Sequence, residues 1–247
     1  MLAIGYANAL VPVRGDLVAA HRRAWERLAR PGTWWSGAER VAIAAEVRGA
    51  AQCPLCRERK AALSPAGVTG EHASRGALPE VAVDVIHRVT TDPAQLSKAW
   101  FEKCQVGGLG DAHYVEMIGV IVTIVSIDDF CRGLGLAPHP LPDAIPGEPS
   151  RRRPPGALPE DAWVPMIRES RATGAEADLY DGRRRTGNVI RALSLVPDEV
   201  RGLMDLSAAH YLSPVAMLDL RRGTPALDRR QVELVAGRVS ALNECFY

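Results

Sequence analysis

Two cysteines separated by two residues are the part of this sequence best suited to chemistry. Cys53 and Cys56 flank Pro54, a residue favoured in the first turn of a helix, so both sulfurs are expected at a helix N-terminus. The positive end of a helix stabilises a thiolate, which is the form of cysteine that attacks a peroxide or a disulfide. A neighbouring cysteine then resolves the oxidised sulfur to a disulfide. The spacing therefore predicts two-electron redox chemistry.

A zinc site is the alternative use of such a pair. Zinc usually takes four ligands, commonly from a second CxxC or two histidines, and the sequence shows no such set beside the pair. Cys104 and Cys131 lie in apolar helical stretches and are expected to be core thiols. His87 is expected to be a surface or packing residue. No metal and no other cofactor is therefore predicted, and a pair of small core cysteines without chemistry is the remaining alternative.

The composition argues against several classes of protein. A net charge of +1 with scattered basic residues does not provide the broad basic face that nucleic-acid binding needs. The longest apolar run, residues 117–127, is shorter than the roughly 20 residues that span a bilayer, and no secretory signal is evident. Five cysteines, an odd number, do not indicate a disulfide scaffold. We expect a cytoplasmic protein that binds neither nucleic acid nor membrane.

Apolar periodicity and capping residues predict an all-α fold. Ser36 and Glu39 have the S-x-x-E spacing of a capping box, which marks the start of a helix. The most apolar helix is predicted over residues 114–134, with Asp111 as its cap. Glu116, within that helix, is expected to be a surface or cap charge.

A proline-rich segment, residues 138–159, divides the chain. Proline fixes φ and lacks an N–H, so this segment is predicted to be an extended linker. It separates a first part, residues 1–137, from a second part, residues 160–247. Both parts are predicted to be helical.

The two parts share a sequence pattern. With Cys53 aligned to Cys245, GAERVAIAAEVRGAAQCPL lies over LDRRQVELVAGRVSALNECFY without a gap in the shared region. Each copy is an amphipathic helix followed by a cysteine, which indicates an internal repeat. The sequence stops at Tyr247, so the second repeat is predicted to be truncated at its cysteine.

Three segments resemble proteins of the alkylhydroperoxidase-D type, which belong to the carboxymuconolactone decarboxylase superfamily. They are GAERVAIAAEVRGAAQCPLCRERKAALSP, YVEMIGVIVTIVSIDDFCRGLGL and RQVELVAGRVSALNECFY. The resemblance implies an alkylhydroperoxidase-D-like helical bundle in two unequal repeats. In the redox members of this family a Glu and a His form a proton relay that activates the two cysteines. By resemblance, Cys56 is the peroxidatic thiol and Cys53 is the resolving thiol.

The relay residues depart from the family pattern. The family's Glu position holds Val41, and its His position holds Lys60. A lysine supplies charge but is a poor base near neutral pH. Glu46 or Glu39 could replace the family's Glu. His72, brought in by a loop, is the candidate replacement for the His.

The leading hypothesis is a thiol-dependent peroxidase or disulfide reductase. Its substrate would be a hydroperoxide or a disulfide, and its electrons would come from a thioredoxin-like or dihydrolipoyl-type donor. A non-catalytic helical assembly protein with a degenerate site is the second hypothesis. A lyase of the carboxymuconolactone decarboxylase type is the third. The resemblance also implies that the chain forms homo-oligomers.

Overall fold

The chain is mostly helical. The computed structural model describes residues 4–182, 185–212, 216, 219–224 and 226–242. In these residues the α-helices are α1 (Gly15–Ala29), α2 (Gly37–Ala50), α3 (Pro54–Ala61), α4 (Glu80–Thr91), α5 (Lys98–Val106), α6 (Asp111–Gly133), α7 (Asn188–Arg191), α8 (Pro197–His210) and α9 (Arg229–Leu242). Single 3-10 turns occur at Pro65–Gly67, Pro93–Gln95, Glu169–Arg171 and Gly174–Glu176. The predicted all-α class is confirmed for this part of the chain.

One small antiparallel ribbon interrupts the helices. Strands β1 (Ala157–Leu158) and β2 (Met166–Ile167) pair with Ala157 opposite Ile167. Among the described helices, no stretch combines the length and the apolar character that a transmembrane span requires.

The main core lies between five helices. Helix α2 packs against α1, α4 and α6, and α8 packs against α1 and α6. Fully buried side chains such as Ile43 of α2, Ile86 of α4 and Ile124 of α6 fill the space between them. A second apolar cluster, which includes Phe101 and Ile167, lies where α5 and α6 meet the ribbon. Helices α2 and α4 are thus held rigidly from several sides, which fixes any side chain that they direct toward each other.

The predicted helix starts are largely confirmed. Glu39 N donates to Ser36 Oγ at 3.3 Å and Ser36 N donates to Glu39 Oε2 at 2.8 Å, which is the complete capping box of α2. Pro54 occupies the first turn of α3. Helix α6 begins at Asp111 itself, three residues before the predicted start, with Gly110 as its N-cap.

A buried ion cluster joins three helices. Arg40 of α2 donates through Nη1 to Glu116 Oε1 of α6 at 2.5 Å and to Glu199 Oε1 of α8 at 2.8 Å. Glu116 is fully buried, so its expected role as a surface or cap charge is wrong. The carboxylate of Glu199 lies directly against Gly119 of α6, where a Cβ would stand 2.1 Å from Oε2. Any larger residue at position 119 would displace Glu199 from Arg40.

The proline-rich segment is pinned to the helices. As predicted, it contains no helix, although its last residues form β1. Ile145 N donates to the Ala29 carbonyl at 2.7 Å, and Trp25 Nε1 donates to the Pro140 carbonyl at 2.9 Å. The segment therefore lies along α1 and does not act as a free spacer. Beyond it, α8 of the second part packs on α1 and α6 of the first.

Helices α2 and α9 can be compared at the offset of the predicted repeat. Helices α2 and α9 both have 14 residues, and both ends differ by the alignment offset of about 192 residues. The repeat and its boundaries otherwise stay a prediction. Cys245, on which the truncated second site depends, lies outside the described residues.

Candidate active site

The two cysteines of the CxxC pair are buried at the start of α3. Cys53 is the N-cap residue of this helix, and Cys56 lies in its first turn. The exposed fractions are 1 % for Cys53 and 4 % for Cys56, and both pack with Leu55 in a small apolar cluster. The turn that ends α2 leads directly into this position, because Cys53 N donates to the Ala50 carbonyl at 3.1 Å. The predicted position of both sulfurs at a helix N-terminus is confirmed.

A histidine and a glutamate form a chain behind Cys56. His87 Nδ1 lies 3.3 Å from Cys56 Sγ, and His87 Nε2 lies 2.8 Å from Glu46 Oε1. His87 is fully buried on α4, and Glu46 is 1 % exposed on α2. Since α2 and α4 pack against each other, the carboxylate, the imidazole and the sulfur are held in line. Glu46 is therefore brought to the site as predicted.

A second histidine approaches both sulfurs from a loop. His72 Nδ1 lies 3.5 Å from Cys56 Sγ and 3.7 Å from Cys53 Sγ. Its Nε2 lies 3.1 Å from Asp84 Oδ1. Asp84, which is on α4, also accepts hydrogen bonds from Arg88 and from the indole of Trp100. Each imidazole thus has one nitrogen toward sulfur and the other toward a carboxylate.

Backbone contacts hold the loop that carries His72. Ala73 N donates to Cys53 Sγ at 3.4 Å, and Arg75 N donates to Glu46 Oε2 at 3.0 Å. Gly76 then turns the chain with φ of 76°, a left-handed conformation that favours glycine. The loop is therefore tied both to Cys53 and to the carboxylate behind His87.

The environment of Cys56 favours the thiolate. Burial alone would raise the pKa of Cys56, but hydrogen bonds with His72, His87, Thr91 and Cys53 outweigh burial and lower the pKa to about 5. Burial also opposes ionisation of Cys53, yet hydrogen bonds from the backbone and His72 lower its pKa below the ordinary value. Cys56 has the larger reduction, which agrees with its predicted role as the attacking thiol.

Neighbouring carboxylates and cysteine sulfurs favour the protonated form of both histidines. Burial would lower the pKa of His72, but Asp84 and the two cysteines raise it to about 10. The pKa of His87 is likewise raised by Cys56 and Glu46 against the opposing effects of burial and the nearby His72. Cys56 and these imidazoles therefore favour a thiolate–imidazolium arrangement, in which a proton donor lies within reach of the reacting sulfur.

The structure brings together four of the five candidate residues. Cys53, Cys56, Glu46 and His72 meet in one cluster, whereas Lys60 is exposed on α3. The buried side of this helix runs through Leu55, Cys56 and Arg59, and Lys60 lies outside it. The predicted contribution of Lys60 to the electrostatic field stays a prediction.

Sequence reasoning missed three residues of the site, His87, Asp84 and Trp100. The expectation that His87 is a surface or packing residue is wrong, because it contacts Cys56. One signal was present, since His87 lies four residues after Val83 and so shares its buried helix face. The expectation that no pair of histidines accompanies the cysteines is also wrong, because His72 and His87 supply one. Cys104 and Cys131 are buried core thiols, as predicted.

Comparisons of the chain with family models, with curated proteins and with solved structures find no match. The resemblance to alkylhydroperoxidase-D-type proteins therefore stays a prediction.

Proposed function

We propose that this chain is a thiol-dependent oxidoreductase of the alkylhydroperoxidase-D type, which reduces a hydroperoxide with Cys56 as the attacking thiolate. The observation that carries the proposal is the alignment of Glu46, His87 and Cys56. A buried carboxylate that accepts from one imidazole nitrogen leaves the other nitrogen facing the sulfur. This is the arrangement that activates a thiol and keeps a proton beside it.

The reaction proceeds in two steps. The Cys56 thiolate attacks one peroxide oxygen, the O–O bond breaks, and the departing alkoxide takes a proton from His87 to leave as the alcohol. The Cys56 sulfur has then become a sulfenic acid. The Cys53 thiol attacks that sulfur, forming the disulfide and releasing water. A dithiol donor returns two electrons and two protons to the pair by thiol–disulfide exchange.

The burial of the sulfurs favours a small substrate. Both cysteines are less than 5 % exposed, so a hydroperoxide reaches them more readily than a disulfide in a folded protein does. Cavities of about 450 Å³ and about 420 Å³ are lined by residues away from the two cysteines. The same burial favours a slender dihydrolipoyl-type donor over a thioredoxin-like protein.

The test is the reaction of reduced, metal-stripped protein with hydrogen peroxide. Wild-type protein should lose two thiols for each peroxide consumed and should gain one disulfide between Cys53 and Cys56, detected by mass spectrometry. Cys56→Ser should abolish peroxide consumption, whereas Cys53→Ser should stop at a sulfenic acid that dimedone traps. Cys104→Ser, which changes a buried thiol outside the cluster, is the matched control. Consumption by Cys56→Ser at the wild-type rate would refute the proposal in favour of a non-catalytic role.

The homo-oligomer stays a prediction. The exposed apolar side of α9 is the feature that favours it. Its side chains Leu234, Val235, Val239 and Leu242 are more than half exposed. A second copy of the chain could cover this apolar surface. Sedimentation of the full chain would test the idea, and a monomer at all concentrations would contradict it.

A further inference from the structure

Four side chains of the site have the spacing of a tetrahedral metal centre. The ligand atoms of Cys53, Cys56, His72 and His87 all lie within 4.8 Å of one another. A zinc ion with bonds of about 2.3 Å to sulfur and about 2.0 Å to nitrogen requires sulfur–nitrogen separations of about 3.5 Å. Three of the four sulfur–nitrogen separations are 3.3, 3.5 and 3.7 Å, which scatter around the required value. The other pairs of ligand atoms lie within 4.8 Å of one another, so the ligand groups must move closer together to bind an ion.

The two histidines are oriented as metal ligands are. Both direct Nδ1 toward the sulfurs, and both have Nε2 beside a carboxylate, Glu46 for His87 and Asp84 for His72. Histidines that bind metals almost always donate their second ring nitrogen to such a partner, which fixes the tautomer and the ring orientation. The carboxylates of Glu46 and Asp84 come from different helices, so each ring is oriented independently.

The ligand types select the metal. Two thiolates and two imidazoles suit Zn²⁺, whose charge the two thiolates neutralise. Four protein ligands leave no open position for water, as in a structural or regulatory site and unlike a catalytic one. Because the ligand atoms are buried, a bound ion would be shielded from solvent.

The geometry points to a Zn²⁺ site formed by Cys53, Cys56, His72 and His87 in the reduced protein, and we propose that zinc binding and disulfide formation exclude each other. Both states use the same two sulfurs, so a zinc-loaded chain holds its thiolates in a form that reacts more slowly than the free thiolates. Reaction of that form with hydrogen peroxide takes two electrons from the thiolates, forms the disulfide, releases Zn²⁺ and, with two protons, yields two waters. Zinc occupancy would thus regulate the proposed redox activity.

The test is a zinc titration of the reduced, metal-stripped full chain against a chromophoric chelator. Wild-type protein should bind one Zn²⁺, and His72→Ala should lower the affinity at least 100-fold. Asp84→Asn, which leaves all four ligands in place, should lower it by about 10- to 100-fold. Cys104→Ser should bind as the wild type does. Equal affinity in wild type and His72→Ala, or no 1:1 binding in wild type, would overturn the site.

Cobalt offers a readout that does not depend on whether a variant folds. Reduced wild-type protein with Co²⁺ should show the absorption of a tetrahedral centre with thiolate ligands, and hydrogen peroxide should abolish it. Octahedral cobalt absorption would overturn the proposal.

The zinc-site proposal and the proposed redox function can be refuted independently of each other. A chain that consumes peroxide but binds no zinc refutes only the metal site. A chain that binds zinc but is inert to peroxide when stripped refutes only the redox function.

Discussion

Replacing Glu46 with glutamine removes one charge from the relay while nearly preserving its shape. Glu46 Oε1 lies 2.8 Å from His87 Nε2, which puts the carboxylate roughly 4 Å from the centre of the imidazole charge. Opposite charges at about 4 Å attract by about 4 kcal/mol at an effective dielectric constant near 20, and this is an upper limit here. A neutral hydrogen bond that remains in the variant recovers about 1 kcal/mol. The net loss is then at most about 3 kcal/mol, and since 1.4 kcal/mol is tenfold in rate, Glu46→Gln should slow the reaction of Cys56 by about 10- to 100-fold.

The assay is the second-order rate of disulfide formation after reduced, metal-stripped protein is mixed with hydrogen peroxide. Glu58→Gln is the matched control, because Glu58 is an exposed carboxylate on α3, two residues from Cys56. Its rate should stay within about twofold of the wild type. Glutamine has a single acceptor oxygen, so it can accept from His87 Nε2 or from the Arg75 N–H but not from both, and its NH₂ group faces the other donor. Helix content must therefore be measured in parallel. A folded Glu46→Gln protein that reacts at the wild-type rate would refute the relay.

Three further predictions concern stability and ionisation. Arg40→Met should destabilise the fold by about 3–5 kcal/mol in urea unfolding, because it leaves Glu116 and Glu199 buried without their cation. Burial, with smaller effects from two nearby histidines, lowers the pKa of His21 to about 4. The unfolded chain therefore binds the extra proton between about pH 6.5 and 4, and stability should fall by up to about 3 kcal/mol as the pH drops through that range. Alkylation of Cys56 in the metal-stripped protein should stay nearly constant from pH 9 to 6 and halve near pH 5.

Each of these three predictions has a control measurement or an outcome that would contradict it. Arg23→Met removes a half-exposed partner of Asp205 and should cost less than about 1 kcal/mol. His21→Gln should reduce the slope of stability between pH 6.5 and 4, and an unchanged slope would rule out a contribution from His21; burial also lowers the pKa of His139 and His210, which should supply the remaining slope. Burial raises the pKa of Cys104 to about 11, so that thiol should remain unmodified throughout. If Cys56 alkylation instead fell about tenfold for each unit below pH 8, the sulfur would be an ordinary thiol.

The sequence predicted those features that depend on neighbouring residues. The capping box of Ser36 and Glu39 and the first-turn Pro54 fix two helix starts because their contacts span only a few positions. The position of Cys53 and Cys56 at the start of α3 was predictable for the same reason. Contacts between residues that are far apart in the sequence could not be predicted from it. His87 is 31 residues from Cys56 and meets it only because α2, which precedes the pair, packs against α4.

The same limit explains why the sequence did not place the two histidines beside the cysteines or predict the burial of Glu116. His72 and His87 come from a loop and a helix that no local spacing connects, so their convergence on one point is a property of the packing. Glu116 is a charged residue, which a helical pattern places at the surface. It is buried because Arg40, from another helix, neutralises its charge. Lys60 is close to Cys56 along the sequence, but it is exposed on α3, away from the buried side that carries Cys56.

The Arg40 cluster sets an order for assembling the protein on the ribosome. Until Glu199 has been synthesised, Arg40 faces one carboxylate, and the notch at Gly119 of α6 stays open to water. Residues 1–137 on their own would therefore present an unfilled apolar groove, with Leu206 and Ala209 of α8 absent from the core. A fragment that ends before Pro197 should be recovered from cells in poor yield and should gain solubility when the remaining segment is supplied as a separate chain. The later part of the sequence thus completes the fold that holds the cysteine site.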